Sequence, residues 1–310
     1  MILSVSRRTD IIGFYSDWFF NRLKEGDVLV RNPMNYHQVG RIQINPDIID
    51  CIVFWTKNPK NILGRLDLLK AYNYYFQVTI NPYDNLIESK LPLKKDIISA
   101  FKDLSEIVGK ERMIWRYDPI IISEEVDFNY HRKNFKEMAN SLEGYTEKCI
   151  FGFLYPYKKT IVNMKDITYK ILSEEKAKLI AYDLYLIGKT HNISLEACSE
   201  EIDFSNLGIR KAKCIDDGLI SKIIGERLII PKDKNQRDSC ACVTSIDIGA
   251  YNSCGYGCKY CYANYNDKVI KKNMLLHDKE SPFLIGNLEE GDVIKGRKME
   301  SYRKNQLSLF

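Results

Sequence analysis

The sequence predicts an α/β fold, a TIM-like, partial β/α barrel completed by a C-terminal cysteine-rich region, and three observations predict it. Short apolar runs alternate with helix-period patterns through the first two thirds of the chain, the arrangement that builds parallel strands joined by crossover helices. Polar residues gather where those runs end, as they do on the carboxyl-end face of β/α barrels. Five of the nine cysteines then fall between Cys240 and Cys261, after the alternating part.

In order, residues 2–6 read as the first strand, and a helix follows from Asp17 to Glu25. Ser16 caps its start and Gly26 its end, with Trp18, Phe19 and Leu23 as the apolar face. Residues 28–44 have the pattern of a hairpin-type insertion. Cys51–Trp55 is the next strand, and Ile62, Leu63, Leu66 and Leu69 mark a helix after it. Tyr74–Ile80 is followed by a helix with Ile97, Phe101, Leu104 and Val108 inward, ended by Gly109. Met113–Arg116 is followed by a helix near 127–142 that turns Phe128, Phe135, Met138 and Leu142 inward. Cys149–Leu154 leads to a helix that Ser173 caps, with Glu174 and Glu175 in its first turn. Ile193–Ala197 is the sixth strand. The chain thus divides into barrel units over 1–198, a cysteine-rich region over 199–275 that completes the barrel, and a tail over 276–310.

Hydrophobic residues make up 45% of the 310 and charged residues 28%, which excludes a disordered or collagen-like chain. No apolar run approaches the ~18 residues of a membrane-spanning helix, and no basic segment precedes an apolar core at the N-terminus. A cytoplasmic protein without a membrane partner is expected. The 46 basic and 41 acidic residues give a net charge of +5, an excess that permits nucleic-acid binding without demanding it. Nine cysteines in a reducing compartment point to metal ligation rather than disulfides.

The strand ends carry Ser6-Arg7-Arg8-Thr9-Asp10, Thr56-Lys57-Asn58, Thr79 with Asn81, Arg116-Tyr117-Asp118, and Glu196 with Cys198. Arg7, Arg8, Lys57, Asn58, Arg116, Asp118 and Glu196 are therefore the candidate catalytic, substrate-side groups, and several cations facing one cavity suit an anionic substrate or a phosphate backbone. The sharpest pattern is Cys254-Gly-Tyr-Gly-Cys258-Lys-Tyr-Cys261. Three thiolates on a short, glycine-bearing loop can bind three irons of a cubane cluster, which leaves the fourth iron open, and an open metal position marks catalysis. Cys198, Cys214, Cys240 and Cys242 could hold an auxiliary iron–sulfur cluster or a structural zinc. Cys51 and Cys149 begin apolar strands and belong to the core. His37, His131, His191 and His277 show no ligand spacing and read as surface or loop residues.

The Cys254–Cys261 loop, with Tyr260 just before the third cysteine, resembles the signature of the radical S-adenosylmethionine superfamily. The resemblance implies a [4Fe–4S] cluster on Cys254, Cys258 and Cys261, with S-adenosylmethionine on its open iron and Tyr260 near the adenine. It implies an electron donor such as flavodoxin or ferredoxin and release of a 5′-deoxyadenosyl radical. The substrate-side cations would equally bind the carboxylate and ribose of that cofactor. In the superfamily the loop follows the first strand; here it comes late, so the chain resembles a circularly permuted version. Val243–Ile248 would be that first strand, docked beside residues 2–6, with 262–272 as the helix after it. The superfamily's glycine-glycine-glutamate element is not visible after residues 2–6.

Ser4-Val-Ser-Arg-Arg-Thr-Asp10, Phe54-Trp-Thr-Lys-Asn-Pro59, Trp115-Arg-Tyr-Asp-Pro119 and Asp247-Ile-Gly249 are similar to motifs of the domain-of-unknown-function family 1848 (DUF1848). The likeness covers nearly the whole chain and brings no established reaction. Asp247 joins Tyr260 as a candidate cofactor-binding residue. The expected function is a radical enzyme of unassigned substrate. The alternative is a metal-stabilised nucleic-acid or protein binding module, in which zinc on Cys254, Cys258, Cys261 and one of Cys240 or Cys242 folds the C-terminus. Finally, Gln306-Leu-Ser-Leu-Phe310 resembles the short motif by which bacterial repair and replication proteins bind the sliding clamp. Lys295, Arg297, Lys298, Arg303 and Lys304 precede it against Glu300 alone. The clamp reading makes a DNA lesion the substrate, by analogy with spore photoproduct lyase; otherwise Leu307, Leu309 and Phe310 pack back as a terminal strand.

Overall fold

A computed structural model describes residues 1–303; the Gln306–Phe310 motif lies outside the described residues. The chain opens with β1 (Ile2–Val5), α1 (Ile11–Phe14) and α2 (Ser16–Glu25), then β2 (Asp27–Asn32), β3 (Asn35–Gln43), β4 (Cys51–Thr56) and β5 (Tyr74–Thr79). Next come α3 (Lys94–Val108), β6 (Met113–Ile120), α4 (Phe128–Leu142), β7 (Lys148–Phe153), α5 (Lys158–Asn163) and α6 (Glu174–Thr190). The rest comprises β8 (Ser194–Ala197), β9 (Arg210–Lys211), α7 (Asp217–Ile224), β10 (Ile246–Asp247), α8 (Asp267–Leu275) and β11 (Val293–Gly296).

Eight strands form one sheet in the order β10-β1-β4-β5-β6-β7-β8-β9, and every neighbouring pair is parallel. From β1 to β9 each new strand adds on the same side, so the crossovers never reverse. The two faces separate by residue parity, as a pleated strand requires. Phe54, Phe76, Val78, Trp115, Tyr117 and Phe151 pack against the helices, with Phe101 of α3, Phe135 of α4 and Leu184 of α6; Trp115 stacks on Phe135 at 4.7 Å. Ile2, Cys51, Val53, Tyr75, Ile114 and Ile150 form a second cluster on the other face, with Ala212, Cys214 and Ile215. Burial on both faces explains why these strands read as continuous apolar runs. Among the described residues no ladder joins the edge strands β9 and β10; residues 212–245 run between them.

The late strand β10 docks in parallel beside β1. Leu3 pairs with Ile246 and Ser4 with Asp247. The Asp247 carboxylate accepts from Ser4 Oγ at 2.8 Å, Ser6 Oγ at 2.6 Å, the Arg7 amide at 2.8 Å and the Gly249 amide at 3.0 Å. The hairpin insertion is realised as β2 and β3, and β11 adds to it in the order β11-β3-β2. The stretch expected as a tail is therefore docked over its described part, with Phe283 and Leu284 buried and Trp18 donating to the Ser281 carbonyl at 2.9 Å.

Several sequence expectations need revision. Ser16 opens α2 from within, and Tyr15 occupies the cap position without a side-chain bond. The helix after β4 is a 3-10 segment over Pro59–Leu69; Ile62, Leu66 and Leu69 still turn inward. The helix expected over 262–272 begins only at Asp267, where Asn266 caps it by accepting from the Val269 amide. The strand expected over Val243–Ile248 shrinks to Ile246–Asp247. Phe128 is only half-buried.

His131, read as a surface or loop residue, is fully buried. Its Nε2–H donates to the Ile121 carbonyl and its Nδ1 accepts from the Tyr117 hydroxyl, both at 2.8 Å. Helical position alone did not show that it lies on the same stripe as Phe135 and Met138. Burial lowers its pKa to about 4.

Two predictions follow from this packing. The native state binds fewer protons at His131 than the unfolded chain between about pH 4 and pH 6.5, so this contribution to stability is complete above pH 6.5 and lost as pH falls to about 4. It amounts to about 3 kcal/mol, and denaturant melts should show a shallower acid limb in His131→Gln than in wild type. Asp247→Ala leaves Ser4, Ser6 and the Arg7 amide without their acceptor and should lower stability by about 3 kcal/mol, read as a fall in the urea midpoint; an unchanged midpoint would mean that β10 is held by other contacts.

Candidate functional site

A cavity of about 1190 Å³ opens at the carboxyl ends of the sheet strands. It gathers loops from both ends of the chain, from Ser6 to Lys298. Arg7 and Arg8 follow β1, Lys57 follows β4, Arg116 and Asp118 sit on β6, Cys198 follows β8, and Asp247 ends β10; all line it. Cys214, Cys240, Cys242, Cys254, Cys258, Tyr260 and Cys261 line it as well. Asn58 and Glu196 do not. Asn58 caps the 3-10 segment by accepting from the Lys60 amide at 3.2 Å. Glu196 is taken up by Lys148, at 3.2 Å. Both are structural in this arrangement.

The cysteine loop is locked to the loop after β5. Glu88 and Cys258 form an antiparallel bridge, the Lys259 amide donates to the Ile87 carbonyl at 3.0 Å, and the Lys90 amide donates to the Tyr256 carbonyl at 3.1 Å. Gly257 adopts a φ of +67°, and a Cβ there would stand 2.4 Å from Ser89 Oγ, so glycine is required for this close approach. Below the bridge lies a buried charge centre. Glu88, 1% exposed, pairs with Lys94 and with Lys57 at 2.9 Å. The Tyr260 hydroxyl donates to Glu88 and accepts from Lys57 Nζ at 2.6 Å and Asn81 Nδ2 at 3.1 Å. Burial alone would raise the Glu88 carboxyl, but its two lysines hold it below the usual carboxylate range. Burial likewise opposes the Lys57 charge, and Glu88 overrides it, so the ammonium stays protonated.

Of the three cysteines, Cys258 is buried and Cys254 and Cys261 are partly buried. Burial pushes the Cys254 thiol well up, with Asp10 adding to it, raises Cys258 to about 12 against the pull of Lys57, and raises Cys261. Burial thus favours the neutral thiol at all three. Asp10 accepts from the Thr56 hydroxyl at 3.0 Å and from the Lys57 and Gly13 amides at 2.7 and 2.8 Å; burial nevertheless raises its pKa to about 6. Thr9 Oγ1 and Asn264 Oδ1, both on cavity-lining residues, are buried without a hydrogen-bond partner among the described residues. Unmet buried polar atoms of this kind fit a polar ligand.

The four outlying cysteines form a row. Cys198 Sγ and Cys214 Sγ are 3.4 Å apart, Cys242 Sγ accepts from the Cys214 amide at 3.2 Å, and Cys240 takes a hydrogen bond from Cys242 that lowers its pKa. Arg116 reaches into this row, with Nη1 2.8 Å from Cys214 Sγ and 3.2 Å from Gln77 Oε1, and its other nitrogen pairs with Asp118. Among the described residues no three Cys, His, Asp or Glu side chains converge as a single metal ion requires. One zinc draws its sulfurs to about 2.3 Å from a common centre. An iron–sulfur cluster gives each thiolate its own iron and tolerates wider spacing.

Asp247 lines the cavity, but its oxygens are taken up by β1 and the turn after it, with the Arg7 and Arg8 guanidinium nitrogens at 4.0 and 3.9 Å; it latches β10 rather than offering a free acceptor. Sequence reasoning missed Asp10 and Glu88. Asp10 sat in view at the end of the Ser4–Asp10 stretch. Glu88, in an irregular loop, carried no signal at all, because only the fold brings it beneath Tyr260.

The sequence model of a family described as a domain of unknown function (DUF1848) matches residues 2–263, and the chain belongs to that family. The matched span holds both β1 and the complete cysteine loop and stops short of β11. No curated protein matches the chain. No helix among the described residues is long and apolar enough to cross a membrane.

Glu88→Gln leaves Lys57 and Lys94 buried without a counter-ion. It should lower the urea midpoint by the equivalent of about 3 kcal/mol, and an unchanged midpoint would show that the lysines find solvent instead.

Proposed function

We propose that this DUF1848 protein is an iron–sulfur enzyme of the radical S-adenosylmethionine type, acting on a substrate held in the cavity at the carboxyl ends of its parallel strands. The observation that carries the reading is the docking of β10 beside β1, which delivers the Cys254–Cys261 loop into the same mouth as Arg7, Lys57 and Arg116. A late segment thereby takes the place that a first strand and its loop hold in the superfamily it resembles.

Cys254, Cys258 and Cys261 would hold a [4Fe–4S] cluster, with S-adenosylmethionine as its partner. Such a pair, given one electron by a carrier such as flavodoxin or ferredoxin, supplies a 5′-deoxyadenosyl radical that abstracts substrate hydrogen. The chain's own groups set the conditions. The Glu88–Lys57–Tyr260 centre fixes the loop and places a lasting positive charge beside thiolates once they form. Thr9 and Asn264 offer unmet hydrogen bonds to a bound polar ligand. Arg8 lies 5.3 Å from the Tyr251 ring centroid and is tied only loosely to Asp247, which leaves it able to orient an anionic group. Cys198, Cys214, Cys240 and Cys242 would hold a second cluster or a zinc, with Arg116 balancing thiolate charge.

Anaerobically reconstituted protein should be brown and should form 5′-deoxyadenosine from S-adenosylmethionine and a strong reductant. Alanine at Cys254, Cys258 and Cys261 should abolish that product while circular dichroism stays unchanged. Product formation that persists in the triple variant overturns the reading, and colourless protein carrying zinc favours a metal-stabilised binding module. Two clusters predict about eight irons per chain, falling to about four when Cys198, Cys214, Cys240 and Cys242 are replaced together.

A further inference from the structure

One row of residues in the mouth serves neither set of cysteines nor the β10 latch. Tyr155 and Tyr157 lie with ring centroids 4.6 Å apart, and Tyr157 lies 5.5 Å from Tyr262. Tyr262 directly follows Cys261 and donates from its hydroxyl to the Arg7 carbonyl at 2.7 Å, so the row ends at the cysteine loop. Its rings remain open, with Tyr155 42% and Tyr262 41% exposed. Arg237 lies over Tyr155 at 4.5 Å and reaches Tyr157 at 5.7 Å. The same cavity is lined by Lys295 and Arg297, which lie on and just after β11. Lys298 pairs with Glu300, but Arg237, Lys295 and Arg297 have no carboxylate within salt-bridge distance among the described residues.

Partly exposed aromatic rings favour flat rings, and cations without a carboxylate partner beside them favour anions. The two together select a nucleobase joined to phosphate. The cations come from two separate segments of the chain, Arg237 on one and Lys295 with Arg297 on the other. We propose that the cavity binds a single strand of nucleic acid, with bases on the tyrosine row and phosphates on Arg237, Lys295 and Arg297. A duplex keeps its base faces stacked inside and cannot use the row. This rests on the cavity being the reaction site and names the substrate class for it.

Fluorescence anisotropy with labelled strands of about 12 nucleotides, as DNA and as RNA, tests the proposal and shows which of the two binds better. Both unpaired strands should bind more tightly than their duplexes. Tyr155→Ala should weaken binding about tenfold while Tyr155→Phe keeps it, since stacking needs the ring alone. Arg237→Ala, Lys295→Ala and Arg297→Ala should each reduce the salt slope by about 0.7. Tighter binding of duplex, equal affinity in all variants, or displacement by inorganic phosphate as effective as displacement by unlabelled strand would overturn the proposal. The titration is repeated on the Cys254→Ala, Cys258→Ala, Cys261→Ala protein. Strand binding retained there supports the inference even if 5′-deoxyadenosine formation fails in wild type, so the two readings fail separately.

Discussion

The pairing of β10 with β1 is the constraint on which the rest of the structure depends. Only two residues of β10 join the ladder, too few to hold a strand by backbone bonds alone. The Asp247 carboxylate supplies the difference by gathering two serine hydroxyls and two amides from both sides of the junction. Hydrogen bonds to a charged acceptor are stronger than neutral ones, and here they converge on one side chain that is 5% exposed. Because β10 sits at the sheet edge next to β1, the cysteine loop that follows it must emerge at the carboxyl-end face. An Asp that looks like a ligand in a motif is thus the reason the cysteines are where they are.

Once delivered, the loop is held by charge as much as by backbone. Glu88 is nearly inaccessible and faces two lysines and a tyrosine. A buried carboxylate so placed costs desolvation, and it persists because every oxygen is matched. The consequence is a cysteine loop whose position is tied to β4 through Lys57 and to the loop after β5 through Glu88. Thiols that burial keeps neutral then lie beside a permanent ammonium, a setting in which metal binding and proton release go together.

Arg116 plays the matching part on the opposite wall. It is buried, lies over Trp55 at 5.2 Å, and divides its donors among Gln77, Asp118 and Cys214. Lys57 and Arg116 are paired with carboxylates, while Arg237, Lys295 and Arg297, which line the same cavity, have none within salt-bridge distance among the described residues.

The amino-acid sequence by itself determined the β-α rhythm, since strands buried on two faces must be apolar throughout and helices buried on one must repeat every three to four residues. Cys51 and Cys149 as core, Gly26 as a left-handed helix end and Ser173 as a cap were legible for the same local reasons. So were Arg7, Arg8, Lys57, Arg116 and Asp118 at the strand ends, because strand direction carries them to one face. Side-chain destinations were not legible. Asn58 and Lys57 are adjacent, yet one caps a helix and the other reaches a buried carboxylate; Glu196 is taken up by Lys148. Glu88, the tyrosine row with Arg237, and the docking of β11 on the hairpin all depend on contacts between segments distant in the chain. Local pattern sets which face a residue joins, but only the closing of loops over that face decides which partner it meets.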